Sequence, residues 1–258
     1  LRRLAGPPGL EAVLRLSGEV PAGARTFTWA YSLSAAPYAL TLRDEREDTV
    51  ATQWLEGEAS SEPFPLEGAA PSRLAVARQY LVLGFTHILP KGLDHILFVL
   101  GLCLLCTRLR PLLVQVTTFT FAHTISLGLS TYGIVSLPSS VVEPLIALSI
   151  VYVAAENVLS PELSRWRVLL VFVFGLLHGL GFAGVLGELG LPRSAFVTAL
   201  ATFNVGVELG QLAVITLAFL LLASWSRHRA WYRQRIVVPV SLLIAAVGLF
   251  WTLQRVLA

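Results

Sequence analysis

Six long apolar runs decide what this chain can fold into: about 80–107, 111–132, 138–159, 166–187, 195–223 and 236–257. Most carry the roughly 20 residues that a helix needs to cross the hydrocarbon layer of a bilayer. In lipid every backbone N–H and C=O must be satisfied within the protein, so runs of this length read as helices. Short connections between them predict a compact bundle. Composition agrees, with 55% of the 258 residues hydrophobic and 14% charged and a mean hydropathy of +0.71. A soluble domain needs far more charge on its surface. The expected class is a mainly α membrane protein, with a six-helix transmembrane bundle over 73–258 and the lipid bilayer as its surroundings.

Residues 1–72 read differently. The runs Ala12–Ser17, Thr26–Tyr31 and Tyr38–Leu42 alternate as half-buried strands do, and Gly6-Pro7-Pro8, Pro21-Ala-Gly23 and Pro63-Phe-Pro65 punctuate them. A small antiparallel β-sandwich is expected here, joined to the bundle through Ala70, Pro71 and Ser72. Glu45, Glu47, Glu56, Glu58 and Glu62 read as a solvated face. The chain opens on Leu1 and holds no Met, as expected after removal of a signal peptide or leading segment.

Arginine placement orients the bundle. Arg108 and Arg110 follow the first run, Arg165 and Arg167 the third, and Arg227, Arg229, Arg233 and Arg235 the fifth. The alternate loops are nearly bare: 132–140 has no basic residue and 187–194 has only Arg193. By the positive-inside rule the arginine-rich loops are cytoplasmic. The β-domain and the C-terminus are then extracytoplasmic, and the β-domain is free to collect metal or meet an extracytoplasmic partner. Topology also accounts for the net charge of +3, so no nucleic-acid partner is expected.

The first run opens with an unusual polar stretch, Gly84-Phe-Thr-His87-Ile-Leu-Pro90-Lys91-Gly92-Leu-Asp94-His95. Ionisable groups at the centre of an inserted helix cost roughly 2.5–3.5 kcal/mol each. A chain that keeps them there has something for them to hold. His123, His178 and Glu208 lie near the middle of three further runs, and Asn204, Glu208 and Gln211 share one helical stripe. Imidazoles and carboxylates at one depth suit a borderline divalent ion such as Ni²⁺, Co²⁺ or Zn²⁺.

The candidate ligands are His87, Asp94, His95, His123, His178 and Glu208. Asp94 and His95 point about 100° apart on a regular helix, so one of them ligates and Asp94 suits the role of orienting the imidazole. Glu143, Glu156, Asn157, Asn204 and Gln211 are candidates for a polar path or for support. The plainer alternative gives each histidine an ordinary interhelical hydrogen bond. Four of the five histidines fall in apolar runs and only His228 in a loop, which favours a shared site.

Pro90 and Gly92 break the first run beside these residues. Either a helix over about 76–89 lies on the outer membrane face and the span starts near Lys91, or one long helix is broken inside the bilayer. Cys103 and Cys106, one turn apart, read as packing thiols or as a metal hand-off pair.

These stretches resemble the HupE/UreJ family of bacterial membrane proteins. The similarity is carried by His87-Ile-Leu-Pro-Lys-Gly-Leu-Asp-His95, Thr118-Phe-Thr-Phe-Ala-His123, Ile150-Val-Tyr-Val-Ala-Ala-Glu156-Asn157, Phe174-Gly-Leu-Leu-His178-Gly and Phe203-Asn-Val-Gly-Val-Glu208-Leu-Gly-Gln211. It covers about Gln79 to the C-terminus. The resemblance implies uptake of nickel or cobalt across the bacterial inner membrane. One feature departs from the family pattern, in which related permeases carry His-x₄-Asp-His. Here six residues separate His87 from Asp94, which leaves the role of His87 open.

Two functions fit this chain. The first is a divalent-metal permease whose path passes Glu143 and His87 to His95, His123, His178 and Glu208, and then Glu156. The second is an intramembrane zinc-dependent hydrolase, with a metal-bound water and Glu208 or Asp94 as general base.

Overall fold

The computed structural model describes residues 2–4, 13–21, 23–31, 38–43, 49–55, 58–66, 72–106, 108–160, 162–188, 195–220 and 231–257. The chain divides into two compact units, Leu1–Pro71 and Ser72–Ala258. His228 and most of its loop lie outside the described residues, as do Glu45, Glu47, Glu56, Ala70 and Pro71.

In the first unit three of the six described strands fall in the runs that alternation marks and three lie outside them, and they do not assemble as expected. β1 (Arg2–Leu4) pairs with β2 (Val13–Arg15), β3 (Thr26–Phe27) with β6 (Phe64–Pro65), and β4 (Tyr38–Arg43) with β5 (Thr49–Leu55), all antiparallel. Among the described residues these are three separate two-stranded ladders rather than the two packed sheets of a sandwich. Four of the strands have only two or three residues. Pro65 also has no N–H to extend its ladder. Phe64 and Leu55 are buried, and the Trp29 indole N–H donates to the Tyr38 hydroxyl at 3.2 Å.

The second unit is helical: α1 (Arg73–Ile88), α2 (Leu93–Leu105), α3 (Leu109–Thr131), α4 (Ser139–Leu159), α5 (Arg167–Glu188), α6 (Phe196–Ala218) and α7 (Val238–Leu257). A π-helical turn, Arg233–Val237, leads into α7. Ser72 caps α1, its hydroxyl accepting from Ala75 N–H at 3.2 Å. α3, α4, α6 and the Arg233–Leu257 segment are each long and apolar enough to cross a membrane. The bent pair α1–α2 makes a fifth if it is one span, and the apolar part of α5, Arg167–Phe182, is shorter. Among the described residues each of the six runs contains helix, while four or five helices meet the length of a span.

Polarity is arranged as a membrane requires. Phe121, Leu209, Leu242 and Phe250 face outward, while His95, His123, His178, Gln115, Asn157, Asn204, Gln211 and Arg167 are buried. Three close helix pairs build the bundle. α1 lies along α6, where a Cβ on Gly84 would overlap the Phe203 carbonyl. α3 lies along α5, where a Cβ on Gly179 would overlap the His123 carbonyl. α4 lies against α7, with Gly248 facing Val151. In the first two pairs contacts advance in step along both chains, so each pair is parallel. α1 therefore packs its C-terminal half on the middle of α6.

The break itself is local chemistry. Pro90 has no N–H and forces the preceding residue toward extended backbone, and Leu89 sits at φ −119°, ψ 116°. α1 and α2 then diverge by 68°. A Cβ on Gly92 would overlap the His87 carbonyl, so only glycine lets α2 start this close to the end of α1.

Candidate metal centre

On one continuous helix His87 and His95 would be separated by a rise of about 12 Å. The Pro90–Gly92 break brings their ring centroids to 4.8 Å. α3 adds His123, and one ligand atom from each of His87, His95 and His123 lies within 4.8 Å of the others. α5 adds His178, whose Nδ1 is 3.4 Å from His95 Nε2. The longer His87–Asp94 spacing is thus absorbed by the turn, and His87 sits in the cluster.

Hydrogen bonds fix which nitrogen of each ring is free. Asn204 donates through Nδ2 to the Leu200 carbonyl at 2.9 Å. Its Oδ1 therefore faces His123 Nδ1, at 3.0 Å, and must accept from that nitrogen. This leaves His123 Nε2 with a lone pair, buried and with no protein partner. Asp94 Oδ1 accepts from His95 Nδ1 at 3.2 Å and from the His95 backbone N–H at 3.0 Å, so the His95 lone pair is on Nε2. Asp94 also stands in the first turn of α2, where the helix N-terminus favours its charge.

Ser149 on α4 completes the set. Its Oγ lies 2.6 Å from the Ile146 carbonyl and 3.1 Å from His178 Nε2. His178 Nδ1 then faces His95 Nε2, where one ring N–H bridges the two imidazoles or one ion joins them. His87 Nε2 is also buried without a partner. Nitrogens bound to one ion at 2.0–2.1 Å sit about 3–4 Å apart. The His95–His178 separation already has that value, while the ligand atoms of His87, His95 and His123 lie within 4.8 Å of one another, a set that does not include His178.

Aromatic rings enclose the cluster. Phe182 and Phe203 stack at 5.1 Å on the side of His87, and Phe98 and Phe119 pack at 5.2 Å on the side of His178. These rings exclude water and lower the local dielectric, which strengthens any charge–ligand interaction inside.

Of the candidate carboxylates, Asp94 stands beside His95, whereas Glu208, Glu143 and Glu156 have partners other than the histidines. Glu208, one turn along α6 from Asn204, accepts from Thr117 Oγ1 at 2.7 Å and from Thr120 Oγ1. Gln211 Oε1 lies 3.0 Å from the same Thr120 hydroxyl. Glu143 is at the far end of α4, 3.9 Å from Arg255. Glu156 is paired with Arg167 at 2.9 Å. Arg167 is only 3% exposed and also donates to Gln115 Oε1 at 3.0 Å, while Asn157 donates to the Gly101 carbonyl at 2.8 Å. Cys103 and Cys106 are buried, and the Gln115 amide N–H donates to Cys106 Sγ at 3.9 Å.

Sequence reasoning missed Ser149, because a lone serine in an apolar helix usually bonds its own backbone. It also missed the burial of Arg167, counted only as a loop charge. The adjacent Glu156-Asn157 pair, near the end of a span, was the available signal that a cation would be drawn in.

A multi-pass helical bundle with imidazoles converging between its helices is the class of protein this structure defines, and three of those imidazoles could hold a metal ion. Residues 67–255 match the family described as HupE / UreJ protein, and the chain belongs to that family. No curated protein and no solved structure matches the chain.

Proposed function

We propose that this protein is a permease that carries a divalent transition-metal ion, nickel or cobalt, across the bacterial inner membrane. The observation that carries this reading is the convergence of imidazoles from α1, α2, α3 and α5 in the buried interior of the bundle. His87 Nε2 and His123 Nε2 have no partner, and His95 Nε2 and His178 Nδ1 face each other at 3.4 Å. Imidazole selects nickel, cobalt, copper or zinc over magnesium or calcium. His87, His95, His123 and His178 hold the ion in this reading. Asp94, Asn204 and Ser149 hold the rings in the ligating tautomer.

Glu208, with Thr117, Thr120 and Gln211, is a second polar station about one helical turn further along α6. The Arg167–Glu156 pair closes the arginine-rich end, which is cytoplasmic by the positive-inside rule. Residues 1–72 form a separate extracytoplasmic domain. Both oxygens of Glu208 are engaged by threonines, and Asp94 is engaged by His95. That arrangement supports carriage of an ion over activation of a metal-bound water.

The test is nickel or cobalt uptake into proteoliposomes loaded with a fluorescent chelator. Saturable uptake that is lost in His123→Ala is expected. Metal binding without flux in either direction would sink the permease reading.

A further inference from the structure

The arginine-rich end of the bundle contains a cavity of about 280 Å³ between the start of α3, the segment entering α5 and the first turn of α5. Val114, Leu163 and Val168 supply apolar walls, buried Gln115 and Arg167 the deep end, and exposed Arg110 the outer edge. Arg167 is committed to Glu156 and Gln115. Among the described residues nothing engages the guanidinium of Arg110, nor those of its neighbours Arg108 and Arg165. The one carboxylate on the adjoining segment is Glu162, which is exposed and unpaired. Positive charge is therefore in excess around an apolar slot. Trp166, 63% exposed, lies in the same segment, as aromatic residues do at the head-group level.

We propose that this cavity binds an anionic phospholipid from the leaflet that the arginine-rich end faces. Arg110 takes the phosphodiester, and Val114, Leu163 and Val168 take the upper part of one acyl chain. Small-molecule pockets run roughly 300–1,000 Å³, so this one suits a head group with the start of a chain, the remainder staying in the bilayer. Basic pockets between helices at a membrane face are suited to such head groups. Free phosphate has no use for the apolar walls. The proposal rests on the membrane setting and not on the metal reading.

The experiment titrates the purified full chain in zwitterionic detergent with phosphatidylglycerol, phosphatidylcholine or inorganic phosphate and follows thermal unfolding. Phosphatidylglycerol should give a saturable upward shift of several degrees, and the other two little or none. Arg110→Gln should reduce the phosphatidylglycerol shift to the phosphatidylcholine level, whereas Arg235→Gln, at another exposed arginine of that end, should keep it. Val168→Trp fills the cavity without changing charge and should also abolish the selective shift, which covers the case of an Arg110 variant that does not fold. His95→Ala should keep the shift, so failure of the metal reading is distinguishable. Equal shifts from both lipids, a full shift from inorganic phosphate, or full selectivity retained in Arg110→Gln and Val168→Trp would overturn the proposal.

Discussion

His95 Nε2 and His178 Nδ1 lie 3.4 Å apart, close enough for one N–H to bridge the rings or for both nitrogens to share one ion. Asp94 holds the outer nitrogen of His95 and Ser149 stands 3.1 Å from that of His178, so the two inner nitrogens face each other.

The orienting partners should therefore matter to affinity without touching the ion. Asn204→Leu frees His123 to reverse its tautomer, and Asp94→Asn weakens the hold on His95. Each is expected to weaken nickel binding by roughly 10–100-fold, measured by competition with a chelating dye. Unchanged affinity in both variants would remove these two residues from the site.

Arg167 should matter to stability. Arg167→Leu leaves Glu156 charged and unpaired at a site where both side chains are largely buried, 3% and 11% exposed. A cost of about 3–5 kcal/mol is expected, seen as a lower unfolding temperature in detergent. The double variant Arg167→Leu, Glu156→Leu should recover much of that loss. A double variant as unstable as the single one would mean that the charge pair is not what the network protects.

Glu208 separates binding from passage. Its carboxylate is held by Thr117 and Thr120 rather than by a histidine ring. Glu208→Gln should leave nickel affinity within about twofold while uptake into proteoliposomes falls by about tenfold, on the scale of one lost charge-assisted contact. Affinity and flux falling together would make Glu208 a direct ligand.

How much of this was legible in the sequence depends on the range of the interaction. The apolar runs and the depth of His123, His178 and Glu208 follow from counting along single helices. The Pro90–Gly92 break was also local, as was the supporting role of Asp94 beside His95. What counting does not give is the rotation of each helix about its axis. Glu208 was expected beside the histidines, yet its carboxylate is held by threonines of α3. Ser149 was invisible because its partner is 29 residues away. Alternation located β2, β3 and β4 of the first unit but not β1, β5 or β6, and β3 pairs with β6 more than thirty residues away, a choice that no local pattern encodes.

Orientation has its own check. Single cysteines at Ser139 and Ser164, in a background lacking Cys103 and Cys106, should react with an impermeant thiol reagent from opposite sides. Ser139 is expected to label from outside, and Ser164 only after the membrane is opened, as the arginine bias requires. The reverse pattern would invert the direction of transport proposed above.

The most direct measurement is the nickel content of detergent-purified protein after equilibrium dialysis, with wild type beside His95→Ala, His123→Ala and His178→Ala. Each variant is expected to insert and purify as wild type does, and to lose affinity by more than the roughly 10–100-fold that an orienting partner costs. His228→Ala, outside the cluster in the sequence, should match wild type. Full nickel content in all three variants would contradict the account, leaving these histidines as hydrogen-bonding groups of an ordinary helical core.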